Sequence, residues 1–178
     1  MTTLLGISGA LRKDSRNTAL VNEAARLFAP DTFIMADLRL PLYDGDLEDS
    51  EGIPEAVHTL HAQIKAADAV IISTPEYNKN ISGVLKNALD WLSRVHPQPW
   101  TGKPVAILSA ASGRAGGERA QYSLRHCMTP FNPRILQGPE IMIAAADNAF
   151  DSDERLINEF STKSLTKLMT ALRAETDR

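Results

Sequence analysis

The segment at residues 67–74, with the sequence ADAVIIST, constrains the fold more than any other part of the chain. It is a nearly continuous run of small and β-branched residues, and Pro75 ends it. A strand with one face in water alternates apolar and polar residues, whereas a continuous run is typical of a strand that is covered on both faces. The run therefore predicts a parallel sheet with helices on both sides.

Four more strands and five helices alternate along the chain. Apolar runs predict the other strands at residues 3–7, 32–38, 103–110 and 135–145, the last interrupted by Gly138 and Pro139. Helical spacing of apolar residues predicts helices at residues 17–28, 53–67, 83–95, 118–129 and 153–174. Residues 41–52 are expected to form an irregular acidic loop, and residues 151–153 supply candidate N-caps for the last helix. This order predicts an α/β fold, an open five-stranded parallel sheet in one domain over residues 1–178.

Composition excludes several classes of protein. A formal charge of -3 gives no overall basic surface, so we expect no nucleic-acid partner. The single Cys127 excludes an internal disulfide, and its apolar neighbours predict a buried thiol. The four histidines lack metal-ligand spacing, so no metal site is expected. No apolar run reaches the roughly 18 residues of a membrane span, and we expect a cytoplasmic protein without a membrane partner.

The loop after the first strand, GISGALRKDSRN, is the first of three unusual loops. It lacks the Gly-Lys-Ser/Thr of a triphosphate loop and the three-glycine spacing of a dinucleotide loop. It does contain Ser8, Ser15 and Asn17 as hydrogen-bonding groups and Arg12 as a fork of donors, beside the free N–H groups of a helix start. These groups suit a phosphate monoester. The alternative is an ordinary turn in which Ser15 or Asn17 only caps the helix.

The loops after the third and fourth strands should lie beside the first, because ligands of such sheets bind at the carboxyl ends of the strands. In PEYNKNISG, Pro75 stiffens the turn while Glu76, Tyr77 and Asn78 offer a carboxylate, a ring and an amide to a flat polar ligand. Alternatively, Tyr77 packs on the core and Asn78 only shapes a turn. The glycines of SAASGRAGG allow close approach to a ligand, unless the loop is simply flexible. One phosphate position and one flat ring favour a mononucleotide such as FMN.

Two segments resemble a known family. GISGALRKDSRN resembles the G-S-x-R-x-x-S-x-N loop, and PEYNKNISGVLKNALDWLSR resembles the P-E-Y-N-x-S-x-P-G-x-L-K-N-x-I-D-W segment, of the NADPH-dependent FMN reductases. The resemblance implies a flavodoxin-like fold with strand order 2-1-3-4-5, non-covalent FMN and a homodimer or homotetramer. For the FMN phosphate it implies Ser8, Arg12, Ser15, Asn17 and Thr18. For the ring system it implies Pro75, Glu76, Tyr77, Asn78, Ser112 and Gly113.

The resemblance also implies an activity. Hydride passes from NADPH or NADH through FMN to a quinone, free flavin or another small acceptor such as an azo compound or chromate. FMN carries this chemistry, so no catalytic side chain is expected. Two alternatives remain open: a flavodoxin-like electron carrier that does not oxidise NAD(P)H, and a flavin-free protein that binds another phosphorylated ligand.

Overall fold

The computed structural model describes residues 1–176 and contains one parallel sheet with the order β2-β1-β3-β4-β5, in which β6 also pairs with β4. This order confirms the expected flavodoxin-like topology. The strands are β1 (Thr3–Ser8), β2 (Thr32–Met35), β3 (Ala69–Thr74), β4 (Pro104–Ala110), β5 (Arg134–Ile135) and β6 (Ile141–Ile143). Every residue of the central β3 is buried, as the β-branched run predicts.

Helices cover both faces of the sheet. They are α1 (Arg16–Phe28), α2 (Gly45–Glu51), α3 (Glu55–Ala66), α4 (Gly83–Leu92), α5 (Glu118–Met128) and α6 (Glu159–Thr176). Helices α1 and α6 pack on one face around Leu20, Phe28 and Leu168. Helices α3, α4 and α5 pack on the other face, around Leu60, Leu89 and Leu124. The β-strand ends that carry the three loops therefore open at one edge of the sheet.

One sequence-based expectation about the loops is wrong. Residues 41–52 are not wholly irregular, because they contain α2, whose first turn is capped by the Asp44 carboxylate accepting from the N–H of Asp46 at 3.0 Å. The segment before α2 is held by α4, since Trp91 Nε1 donates to the carbonyl of Pro41 at 2.8 Å. The interruption expected at Gly138 and Pro139 is present and divides the last strand into β5 and β6, which both pair with β4, because proline has no N–H for the ladder.

The last helix begins at Glu159, six residues later than expected. The Asp151 carboxylate instead accepts from the N–H groups of Asp153 and Arg155, which closes a separate turn. The side chain of Asn158 accepts from the N–H of Ser161 at 2.9 Å and so caps α6. Cys127 is only partly buried, at the edge of the α3–α5 core, so its thiol is less buried than expected.

Candidate functional site

A cleft of about 860 Å³ opens at the carboxyl ends of the strands, and all three unusual loops line it. It is the larger of the two cavities described here. Its walls come from residues 10–17, residues 75–77, residues 110–119 and Asp147. The three loops that stand out in the sequence therefore line one cleft, as expected.

The start of α1 forms one end of the cleft. Ser15 is its N-cap, and its Oγ accepts from the N–H groups of Asn17 and Thr18 at 3.2 and 3.4 Å. The Ser15 hydroxyl hydrogen stays available, and the positive end of the helix dipole faces the cleft. Arg12 is exposed beside it and makes no hydrogen bond or ion pair within residues 1–176. This end of the cleft suits an anion.

Asn17 lines the cleft, but most of its amide is already engaged. Its Nδ2 donates to the carbonyl of Ala110 at 2.9 Å, while its Oδ1 accepts from the N–H of Ala110 at 3.0 Å and from Ser73 Oγ at 2.8 Å. Both acceptor positions of Oδ1 are thus used, and one Nδ2 hydrogen remains. Asn17 consequently joins α1 to the ends of β3 and β4 and can offer a ligand one donor.

Ser8 and Thr18 lie outside the cleft. They contact each other, with Thr18 Oγ1 donating to Ser8 Oγ at 2.8 Å, at the wall of a second and smaller cavity on the other side of the first loop. Ala10, rather than Ser8, is the small residue of the first loop that lines the cleft. Because Ser8 ends β1, the alternation of side chains along the strand turns its hydroxyl away from the cleft.

The second loop is a tight hairpin that presents Tyr77. The backbone of Tyr77 exchanges two hydrogen bonds with Asn80, at 3.0 and 3.1 Å. The two central residues, Asn78 and Lys79, have φ values of 51° and 67°, as a type I′ turn requires. Tyr77 is 55% exposed and lines the cleft with Pro75 and Glu76, whereas Asn78 lies outside it at the tip of the turn.

Arg119 joins the second loop to the third, which the sequence alone did not reveal. The Glu76 carboxylate accepts from the N–H of Arg119 at 3.2 Å and from its Nη1 at 3.3 Å, at the first turn of α5. The Glu76 side chain is only 15% exposed. A carboxylate at a helix start is stabilised by the helix dipole. This contact links the second loop to the start of α5, which follows the third loop.

Two buried side chains, those of Ser109 and Gln121, hold the end of the third loop. Ser109 Oγ donates to the carbonyl of Gly116 at 2.6 Å, and Gln121 Nε2 donates to Ser109 Oγ at 2.9 Å and to the carbonyl of Ile141 at 2.7 Å. Gly117 has a φ of 92°, and a Cβ there would lie 2.7 Å from that of Ser109. The loop is therefore held in one conformation, and Ser112 and Gly113 line the cleft from it.

Asp147 closes the remaining side of the cleft and was also missed. Ser112 Oγ donates to Asp147 Oδ2 at 3.0 Å, and Arg16 Nη2 donates to the Asp147 carbonyl at 3.3 Å. Its position just beyond a strand, at the same edge as the three loops, was the only sequence signal available. Ser112 therefore faces the cleft with its hydroxyl already directed to a carboxylate.

The side chains of the cleft make a local cationic site in a chain of negative net charge. Four arginines and three carboxylates line it: Arg12, Arg16, Arg114 and Arg119, with Asp14, Glu76 and Asp147. Within residues 1–176, Arg114 and Arg12 have no ion-pair partner. The same residues contain no cluster of His, Cys, Asp and Glu suited to a metal ion, and no helix long and apolar enough to cross a membrane.

The fold and the cleft together define a flavodoxin-like protein whose cleft is lined by arginines and the start of α1 and by the exposed ring of Tyr77. The family model of the NADPH-dependent FMN reductases matches residues 2–148, and the chain belongs to that family. It is 46% identical over 171 residues to an NAD(P)H-dependent FMN reductase of Pseudomonas aeruginosa, covering 95% of this chain and 92% of that protein. It is 39% identical over 176 residues to a quinone reductase of Escherichia coli, covering 96% and 92%.

A solved structure supports the same grouping. The flavoenzyme FerB, an NAD(P)H:(acceptor) oxidoreductase from Paracoccus denitrificans, superposes with a TM-score of 0.88 at 31% identity, over 99% of this chain and 98% of that one. Membership of the family makes this protein an oxidoreductase.

Proposed function

We propose that the protein is a single-domain, FMN-containing oxidoreductase that uses NADPH or NADH to reduce quinones, free flavin or other small acceptors such as azo compounds and chromate. The observation that carries the proposal is the cleft itself, which joins an anion site at the start of α1 to an exposed Tyr77. One terminal phosphate and one flat ring fit its two ends. Its single phosphate position favours FMN over a dinucleotide cofactor.

The residues at the start of α1 fit the phosphate of FMN. Arg12 supplies a charge-assisted fork, Ser15 a hydroxyl and the first turn of α1 its free N–H groups. Asn17 positions this turn and supplies one further donor. The family resemblance also implies Ser8 and Thr18 for the phosphate. In this proposal they do not contact FMN but stabilise the first loop through their mutual hydrogen bond.

The other loops fit the ring system. Tyr77 provides an aromatic face, Pro75 and Glu76 shape the rim, and Ser112 and Gly113 approach from the third loop, while Asn78 supports the turn that carries Tyr77. FMN, when bound, would supply the redox chemistry that links NAD(P)H to the acceptor. The chain's own residues bind and orient, and none is assigned as a nucleophile, base or metal ligand.

We also propose a cytoplasmic homodimer or homotetramer. Three large side chains are exposed, Tyr77 by 55%, Tyr122 by 52% and Leu42 by 80%, and Tyr77 also lines the cleft. Burial of these side chains against a second copy would stabilise the assembly. Sedimentation of the FMN-loaded protein at micromolar concentration measures its mass, and a monomer would contradict this part of the proposal.

Purification followed by anaerobic titration tests the function. The expected protein takes up FMN, loses its flavin absorbance when NADPH or NADH is added, and regains it when benzoquinone is added. Failure to take up FMN would favour a flavin-free binding protein. Binding of FMN without reduction by either nicotinamide would favour an electron carrier.

A further inference from the structure

A second cavity, called here the side cavity, lies across the first loop from the cleft and has a volume of about 190 Å³. It opens between the ends of β1 and β2. Its walls are Ser8, Ala10, Leu11, Arg12, Lys13, Thr18, Met35, Ala36, Asp37, Leu38 and Arg39. Ala10 and Arg12 also line the cleft, so only the first loop separates the two cavities.

The side cavity is positively charged. Arg12, Lys13 and Arg39 line it, against one carboxylate, that of Asp37. Arg39 Nη1 donates to Asp37 Oδ1 at 3.0 Å, and both side chains are 65% exposed, so this pair is weak and easily exchanged for another anion. Lys13 has no ion-pair partner within residues 1–176.

Hydroxyl groups complete the wall. Thr18 Oγ1 donates to Ser8 Oγ at 2.8 Å, whereas the hydrogen of Ser8 has only a long contact of 3.4 Å with the carbonyl of Ala10. Ser8 is 7% exposed. A hydroxyl held by a donor on one side and weakly bonded on the other is free to turn its hydrogen toward an anion.

The position of the side cavity indicates which anion it takes. In doubly wound folds that bind dinucleotides, an acidic residue beyond the second strand bonds the ribose 2′-hydroxyl, and a nearby arginine accommodates a 2′-phosphate. Asp37 and Arg39 lie two and four residues beyond β2, which ends at Met35. In this protein the corresponding positions lie in the wall of the side cavity, beside a first loop that lacks the three-glycine spacing of a dinucleotide loop.

We propose that the side cavity binds a phosphate monoester, the 2′-phosphate of NADPH, with Arg39 and Lys13 as the residues that distinguish NADPH from NADH. The proposal rests on the proposed function, because it requires the nicotinamide to react in the cleft. The adenosine half then crosses the first loop at Arg12. Arg39 leaves Asp37 for the phosphate, while the 2′-hydroxyl of NADH meets Asp37 instead.

Binding of adenosine 2′-phosphate to the FMN-loaded protein, measured by calorimetry, tests the site without turnover. Adenosine 5′-phosphate and inorganic phosphate serve as separate probes. We expect Arg39→Ala and Lys13→Ala each to weaken the binding of adenosine 2′-phosphate about tenfold or more, which is the effect of losing one charged hydrogen bond. The binding of adenosine 5′-phosphate should be unaffected. Arg94→Ala is the matched control, since Arg94 is a half-exposed arginine paired with Glu48 that lines neither cavity.

Steady-state kinetics provide the second measurement. Arg39→Ala should raise the KM for NADPH about tenfold, leave the KM for NADH and kcat unchanged, and so lower the ratio of kcat/KM for NADPH over NADH. An unchanged ratio, or an equal fall in kcat/KM for NADPH and NADH, would overturn the proposal. Inorganic phosphate that binds as tightly as adenosine 2′-phosphate would also overturn the coenzyme assignment. If neither nicotinamide is oxidised, the proposed function fails, while the calorimetry still reports on the side cavity.

Discussion

The side-chain amide of Asn17 is bonded to both backbone groups of Ala110, 93 residues away. Asn17 lies in the first turn of α1, and Ala110 is the last residue of β4. The pair fixes the start of α1 relative to the end of β4, from which the third loop begins. Because Ser73 also donates to Asn17, one buried amide sets the spacing of the ends of three elements.

Replacing Asn17 by Ala should therefore affect both stability and cofactor binding. The backbone groups of Ala110 lose their partner in a buried place, which costs about 1–3 kcal/mol of the free energy of unfolding. FMN affinity should fall as well, because α1 is no longer held at the cleft. Urea unfolding of the apoprotein and fluorescence titration with FMN measure the two effects. Asn22→Ala, on the exposed face of α1, is the control, and equal results for the two variants would refute this role for Asn17.

The fold was predictable because its signals are local and repeated. Continuous β-branched runs such as that of β3 and helical spacing such as that of α1 each indicate their structure independently of the rest of the chain. Boundaries that depend on one competing hydrogen bond were not predictable. The start of α6 is such a case, since Asp151 bonds Arg155 in a turn and leaves Asn158 to cap the helix.

The lining of the cleft was predictable at the level of loops, whereas three of the predicted residues, Ser8, Thr18 and Asn78, lie outside it. Parallel strands bring their carboxyl ends to one edge, so the three loops had to meet. The direction of each side chain depends on its place in the alternation along the strand. Because Ser8 is the last residue of β1, its side chain points to the side cavity. Arg119 and Asp147 were missed because their roles depend on contacts with Glu76 and Ser112, which are distant in sequence.

Arg12→Ala should weaken FMN binding without changing the stability of the apoprotein. Arg12 is exposed and makes no hydrogen bond within residues 1–176, so its loss leaves nothing unpaired. A charged hydrogen bond to phosphate is worth about 1.5–3 kcal/mol, which predicts a rise of roughly tenfold to a hundredfold in the Kd of FMN. Fluorescence titration with FMN and with riboflavin measures it. Riboflavin has no phosphate and should bind both forms alike; an unchanged Kd for FMN would remove Arg12 from the site.

Tyr77→Ala should alter the environment of the flavin ring, whereas Tyr77→Phe should preserve it. Loss of a stacking ring costs about 0.5–1.5 kcal/mol beyond its buried area, and the side chain is too exposed to contribute much to the core. The flavin absorbance spectrum and the rate of reduction by NADPH report the change. If the Ala variant retains the parental spectrum and rate, Tyr77 does not contact the ring.

Gly117→Ala should distort the third loop. Its φ of 92° is unfavourable for alanine, and the new Cβ would meet Ser109, which holds Gly116 in place. We expect a loss of about 1–3 kcal/mol of unfolding free energy and weaker FMN binding. The control is Gly83→Ala at the start of α4, where an added Cβ meets no atom within 4 Å. Equal effects of the two substitutions on FMN affinity would show that the loop conformation is not needed.

Glu23 does not line the cleft, but it should make the stability of the protein depend on pH. Burial pushes the pKa of its carboxyl upward, but hydrogen bonds from Arg26 and Arg155 outweigh this and hold the pKa below its usual 4.5. A lowered pKa means that the unfolded chain binds a proton more readily than the folded one. The stabilisation is therefore present above about pH 4.5 and is lost as the pH falls through the lowered value.

Glu23→Gln should remove this dependence. The variant should be less stable than the parent by about 1–3 kcal/mol at pH 7, because a charged acceptor is lost from two arginines. The difference should begin to shrink as the pH falls below 4.5, where the unfolded parent takes up a proton, and should vanish below the lowered pKa, where the folded parent's carboxyl is neutral as well. Urea unfolding at a series of pH values between 7 and 3 measures both curves. Asp31→Asn, at an exposed carboxylate near the amino end of β1, controls for the removal of one negative charge. A difference between parent and Gln variant that stays constant down to pH 3 would contradict the role of the two arginines.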